Sequence, residues 1–299
     1  MELSLEGKDL VVQGRLCRVA HVDGDGYKFL TDPESAIDAL RSSNMRADLF
    51  TFLQKLPDTP RYRYPFEWDN LAVLPISTFD HWWTRQVDAK TRNMVRRAEK
   101  KGVVVREVPF DANLVRGICG VYNECPIRQG KPFPHYGKDL ETVRKMSATF
   151  LESSIFIGAF LGNQLIGFVK LTIDQTRSQA AVMHILAMVQ HRDKAPTNAL
   201  IGELVKTCAK RNIPFLIYAN YAYGKKVRSS LSDFKKNNGF QRVDLPRYYV
   251  PLTRWGTVAF RLGLHRRFAE HVPEPVAAKL RELRNRWYQH RFHLKAEPF

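Results

Sequence analysis

The sequence predicts an α/β protein built around a mixed sheet, and three observations lead there. Short β-branched or apolar runs bounded by Gly, Pro or Asn alternate with amphipathic stretches of helical period. Three of these runs, at 155–160, 165–173 and 181–189, follow one another with no helix between them, as in an antiparallel meander. The remaining runs are separated by helical stretches, the mark of crossover connections in a mixed α+β sheet.

Residues 1–80 hold short strands, turns and one helix. Asp23-Gly24-Asp25-Gly26 is expected as a hairpin turn, because Gly and Asp tolerate positive φ. It is not a calcium loop, which needs further oxygen ligands and a closing Glu at fixed spacing. Asp32-Pro33-Glu34 opens a helix to about Leu40, with Pro33 suited to its first position. Residues 80–101 are expected as a single patterned helix. Trp83, Val87, Met94 and Ala98 fall on one face, and Arg85, Arg92, Arg96 and Lys100 on the other. Gly102 closes it, after Lys100 and Lys101 that suit the helix dipole.

Beyond Gly102 the expected order is a strand at 103–108, helices at 113–123 and 139–152, the three meander strands, and a helix at 198–211. A polar loop from Glu124 to Lys138 separates the first two helices, and Gly162-Asn163 forms a tight turn in the meander. Leu200, Ile201, Leu204, Val205 and Cys208 form the buried side of the 198–211 helix. A strand at 214–220, a helix at 229–237 and a strand pair at 240–252, broken by Pro246, complete the order. In the tail, Val276, Leu280, Leu283, Trp287 and Leu294 recur at helical spacing among Lys279, Arg281, Arg284, Arg286, Arg291 and Lys295. Such a basic amphipathic helix can dock on its own domain, touch RNA or lie on a membrane. The expected division is 1–101, 102–252 and 253–299.

The 299 residues suffice for a real core, and 44% hydrophobic with 26% charged residues is ordinary for a globular protein. The net charge of +17 is not, and it favours polyanions: tRNA, phosphate-rich cosubstrates or an anionic membrane surface. No apolar run reaches the length of about 18 residues that a membrane span requires. The first residues have neither the basic nor the apolar region of a signal peptide. Cys17, Cys119, Cys125 and Cys208 lack the spacing of zinc ligands or of a disulfide framework, so a reducing cytoplasm is expected.

Three stretches carry a family resemblance. Lys90 to Gly102 gives a basic helix ending in Gly-Val, Phe156 to Phe168 gives strand, Gly-Asn turn and strand, and Phe234-Lys235 precedes Gly239-Phe240. Together with the order of elements over 102–252, these resemble the GNAT N-acyltransferase fold, in its Fem-type and BioF-like acetyltransferase branch. The Fem-type branch includes peptidoglycan bridge aminoacyltransferases. The resemblance implies an acyltransferase that joins an acyl or aminoacyl group to an amine, with acyl-CoA or aminoacyl-tRNA as donor and no tightly bound cofactor. It leaves open whether residues 1–80 form a second, degenerate GNAT half, and whether the fold instead serves as an inactive protein that binds RNA or an anionic membrane.

One departure bears on the donor. GNAT proteins that use acetyl-CoA place glycines where the backbone approaches the pyrophosphate. Here the stretch from Gln190 to Ala199 has none. Arg192 and Lys194 can still pair with a phosphate, and Thr197 and Asn198 open the following helix. The departure favours a tRNA-borne donor, with Arg92, Arg96 and Lys100 as a phosphate-tracking stripe or, equally, a solvated face. The alignment on Gly239-Phe240 also puts Lys235 where many GNAT enzymes carry a tyrosine acid. It can neutralise an oxyanion or a phosphate, or simply be a solvated lysine beside Lys236. One of Tyr218, Tyr221 and Tyr223 is a candidate proton donor, unless all three are packing aromatics, His184 is a candidate base, and Asp174 and Glu203 are candidate acceptors of the amine proton. Tyr122, Arg128 and Lys131, in the loop that runs on to His135 and Tyr136, are expected to meet the acceptor.

Overall fold

The computed structural model describes residues 3–5, 8–26, 28–128, 131–222 and 229–266, with 276, 279 and 283. β1 (Leu3–Leu5), β2 (Lys8–Gln13) and β3 (Val19–Val22) lead into the turn at 23–26, where Gly24 and Gly26 take φ of 76° and 98°. That turn does not close a hairpin. It opens the way to α1 (Pro33–Ser42), because the next neighbour of β3 is the parallel strand β4 (Leu49–Leu53), and parallel neighbours need a crossover. Asp32 caps α1, its Oδ1 accepting from the N–H groups of Glu34 and Ser35 at 3.2 and 3.3 Å. β5 (Phe66–Pro75) follows.

The expected helix at 80–101 is two helices. α2 (Phe79–His81) runs into a π turn at Trp82–Gln86, Val87 is extended, and α3 (Ala89–Lys100) starts afresh. Asp88 caps it, accepting from Thr91 N–H at 2.6 Å. The wider π turn shifts the register, so Trp82 rather than Trp83 is fully buried, its indole donating to Asn238 O at 2.9 Å. β6 (Val103–Val108), α4 (Ala112–Asn123), the small ladder of β7 (Ile127–Arg128) and β8 (Lys131–Pro132), and α5 (Leu140–Ser147) come next. α5 ends before the expected 152 because Phe150 turns left-handed, at φ 56°. The meander is β9 (Ser154–Leu161), β10 (Gln164–Ile173) and β11 (Ala180–Ala187). After a 3-10 turn at Val189–Lys194, α6 (Pro196–Lys210) buries completely all five side chains expected on its inner face.

β12 (Phe215–Asn220), α7 (Ser230–Asn237), β13 (Gln241–Pro251) and α8 (Arg254–Arg261) complete the order. β13 is one strand, not a pair broken at Pro246. The Pro246 carbonyl accepts from Gln54 N–H, just past the end of β4. A strand residue's N–H and C=O point to the same side, so the missing N–H falls where the ladder has already ended.

The chain forms two compact units. One comprises Met1–Leu74, Ile217–Lys235 and Phe240–His271. Its strands run β1-β2-β3-β4-β13-β5-β12, with the β3–β4 pair parallel and β13 antiparallel to both its neighbours. One core, of Leu10, Val22, Ile37, Leu40, Phe50, Phe52 and Tyr248, lies under α1. A smaller one, of Cys17, Leu49 and Ala259, lies under α8. The other unit comprises Pro75–Leu216, Lys236–Gly239 and Val272–Phe299. Its strands run β11-β10-β9-β6, all antiparallel. Lys170 pairs with His184 but Leu171 pairs with Val182, so Met183 is an extra residue that bulges β11.

Candidate functional site

Lys235 is not a solvated lysine. It is 0% exposed, on the inner side of α7, whose neighbour Lys236 is exposed. Its Nζ donates to Asn220 O at 2.6 Å and lies 4.4 Å from the centre of the Tyr218 ring. Burial lowers its pKa to about 8. Between Tyr218 and Asn220 stands Ala219, a non-glycine residue at φ 45°. Such strained backbone collects at functional sites. Asn220 is fixed in turn: its Nδ2 donates to Asp69 Oδ1 at 2.8 Å, and Arg247 joins Asp69 to Asp25. Tyr221 is half-buried beside this cluster and donates its N–H to Asn70 O at 3.3 Å. Tyr223 lies outside the described residues.

A second cluster surrounds the bulge in β11. Tyr122, on α4, is 2% exposed and stacks on His135, with ring centres 4.6 Å apart, and His135 meets His184 edge-on at 5.5 Å. So the fold joins two of the expected residues, Tyr122 and His184, through a third. His135 Nδ1 is buried and makes no hydrogen bond. Burial, with the nearby His135 and Lys170 charges, lowers the His184 pKa to about 4. A neutral imidazole of this kind is a weak base and serves better as a hydrogen-bonding wall. Burial alone raises the Tyr122 phenol to about 12. Sequence reasoning missed Lys170, which is 1% exposed in the middle of β10. Its Nζ donates to Ser147 O at 2.9 Å, to Thr149 Oγ1 at 3.1 Å and to Thr149 O, so it closes the C-terminal end of α5. The signal was present: a lysine interrupts the run Phe168-Val169-Lys170-Leu171.

The other expected residues scatter. Arg128 uses its guanidinium on the protein itself, donating to Ala187 O at 2.7 Å, Val121 O at 2.9 Å and Glu124 at 3.3 Å. Glu124 also accepts from the N–H groups of Val189 and Gln190, so the pair ties α4 to the end of β11. Lys131 is exposed on β8. Arg192 is exposed, and Lys194 pairs with Asp193 at 3.2 Å. Thr197 and Asn198 open α6 behind Ala195, which takes φ 52° and offers no side-chain cap. Asp174 organises the β10–β11 turn, accepting from Thr176, Ser178 and the N–H of Gln179. Glu203 pairs with Lys206 at 3.6 Å. On α3, Arg96 and Lys100 are exposed, and Arg96 lies over the Trp83 ring. Arg92 instead ties off the carbonyls of Trp83 and Val87 at the helix break. No group of metal-ligating side chains forms among the described residues.

No protein-family model and no curated protein matches this chain by sequence. Solved structures do match by fold. FemX superposes with a TM-score of 0.60 at 10% identity, covering 87% of this chain and 89% of that one. The C-terminal domain (DUF2156) of a putative lysylphosphatidylglycerol synthetase from Agrobacterium fabrum gives 0.54 at 14% identity, covering 86% and 84%. L-PGS from Bacillus licheniformis gives 0.53 at 15%, covering 87% and 86%. At such identities the likeness is one of fold, and it extends well beyond residues 102–252.

Proposed function

We propose that this chain, which has the Fem-like GNAT acyltransferase fold, is an N-acyltransferase that moves an acyl or aminoacyl group onto an amine. The observation that carries the reading is Lys235, an ammonium fully withdrawn from water beside Tyr218 and Asn220. Burying a cation is costly, and an apolar side chain would fill the space more cheaply.

The chemistry follows from that placement. The amine nitrogen attacks the donor carbonyl, a C–N bond forms and the carbonyl oxygen becomes an oxyanion. A buried ammonium offsets that charge far better than a hydrated one. Collapse breaks the C–O bond of an ester donor, and the leaving oxygen takes a proton from Lys235. The attacking amine returns a proton to Lys235, directly or through water. With a pKa of about 8 the ammonium releases its proton more readily than a solvated lysine while staying mostly charged at neutral pH.

Three features favour an aminoacyl ester of tRNA over a CoA thioester as donor. A thiolate leaves without needing the proton, whereas a ribose oxygen needs it. The approach to α6 lacks glycine, and Ala195 presents its side chain at the left-handed position before the helix. The exposed Arg96 and Lys100 suit a polyanionic donor.

Thermal-shift comparison of CoA, acetyl-CoA and charged tRNA tests the donor, and stabilisation by CoA alone overturns the tRNA assignment. For the chemistry, Lys235→Met is expected to melt no lower than wild type at pH 7 and to lose on the order of 10²- to 10³-fold in turnover. Full turnover in the folded variant overturns the role of Lys235.

A further inference from the structure

We propose that the exposed ridge formed by Leu16 and α8 docks on an anionic lipid bilayer. The inference rests on a part of the surface that the transferase reading does not use.

α8 is seated firmly along one side. Thr253 caps it, accepting from Gly256 N–H at 2.9 Å, and Ala259 is fully buried. Gly256 packs so closely that a Cβ there would lie 1.9 Å from Asp48 O. The other side presents Trp255 and Val258, 45% and 44% exposed, and in the next turn Leu262, 64% exposed. Their spacing of three and four residues puts them in one stripe. Leu16, 74% exposed in the β2–β3 connection, joins this stripe, because the Trp255 indole donates to Leu16 O at 2.9 Å. One hydrogen bond therefore fixes together two segments 239 residues apart in sequence. Four large apolar side chains remain turned to water on an anchored element.

Within the two segments that carry the ridge the charge is of one sign. Residues 14–18 and 254–266 contain Arg15, Arg18, Arg254, Arg261 and Arg266, and no Asp or Glu. Arg18 is committed to Asp48 and Arg266 to Glu67. Arg15, Arg254 and Arg261 are exposed, the last two on the flank of the stripe away from the sheet.

Apolar side chains at a rim of arginines match the bilayer boundary. Leucine and valine enter the acyl region, tryptophan sits at headgroup depth, and guanidinium groups pair with phosphates. A nucleic acid would also attract the arginines and stack on Trp255. It offers nothing, however, to Leu16, Val258 and Leu262, and that favours lipid.

Flotation of the full chain with vesicles of phosphatidylcholine, alone or mixed with phosphatidylglycerol, tests the proposal. Binding is expected to the mixed vesicles and to be weak to phosphatidylcholine alone. A Leu16→Glu/Leu262→Glu double variant is expected to lose roughly tenfold or more of that binding, with its melting temperature kept because both side chains are exposed. Trp255→Phe should remove the blue shift of tryptophan emission on binding. Absence of vesicle binding by the wild-type chain overturns the proposal, as does a double variant that binds like wild type. A double variant that loses RNA binding and keeps vesicle binding assigns the ridge to nucleic acid, and also overturns it. Transfer to a soluble amine should be unchanged in the double variant, so this test stands apart from that of the transferase reading.

Discussion

Lys235 and Lys170 are both withdrawn from water, and burial lowers the pKa of each to about 8. Lys170 meets three oxygen acceptors that close α5, which is the environment of a structural cation. Lys235 donates to the Asn220 carbonyl and lies over the Tyr218 ring. With a native pKa near 8 and an unfolded value near the ordinary one, Lys235 carries a charge in both states below pH 8. Between about 8 and 10.4 the native state has shed a proton that the unfolded chain still holds, so this group's contribution to stability rises with pH. Wild type should therefore gain on Lys235→Met in melting temperature as pH rises from 8 to 10. The comparison cancels the opposing titration of Cys208, whose buried thiol is raised to about 12 in both proteins. A constant gap would mean that Lys235 is not buried as a charge. The position of Lys235 was readable from Gly239-Phe240, but its burial was not, because a lysine beside Lys236 in a polar helix has no sequence mark of being inside. Arg128 shows the converse: a basic loop residue reads as a ligand contact, while only the structure reveals the two carbonyls it holds.

At the scale of elements, burial periodicity was a faithful guide where one face alone is buried. Hence the inner face of α6 matches the sequence reading, while β6 was marked by its β-branched run between Gly102 and Pro109. It failed where backbone detail decides. The π turn at Trp82–Gln86, the left-handed Phe150 and the unbroken β13 each depend on local hydrogen bonding that residue type does not announce. α8 gives a direct test of how elements are seated here. Gly256→Ala must push the helix off the Asp48 carbonyl, and overpacking of this kind costs about 1–3 kcal/mol. Urea unfolding should show a loss of that size, and an unchanged midpoint would mean that α8 moves away freely.

For the whole molecule, the charge of +17 decides which partners can approach. Its sign and size were plain in the sequence, but which cations stay available was not. Arg92, Arg128 and Arg247 serve the fold, whereas Arg96 and Lys100 face solvent. If those two track tRNA phosphates, the affinity should fall linearly with the logarithm of salt concentration. Arg96→Ala and Lys100→Ala should each reduce that slope by about one. Slopes equal to wild type would place the tRNA elsewhere on the surface.

The position of β13 between β4 and β5 also sets a timetable. A ribosome delivers both neighbours before it delivers the strand that separates them, and residues 75–216 emerge in between. The unit holding the N-terminus thus waits with two open strand edges until residues 241–251 leave the exit tunnel. The segment made first is among the last to find its place.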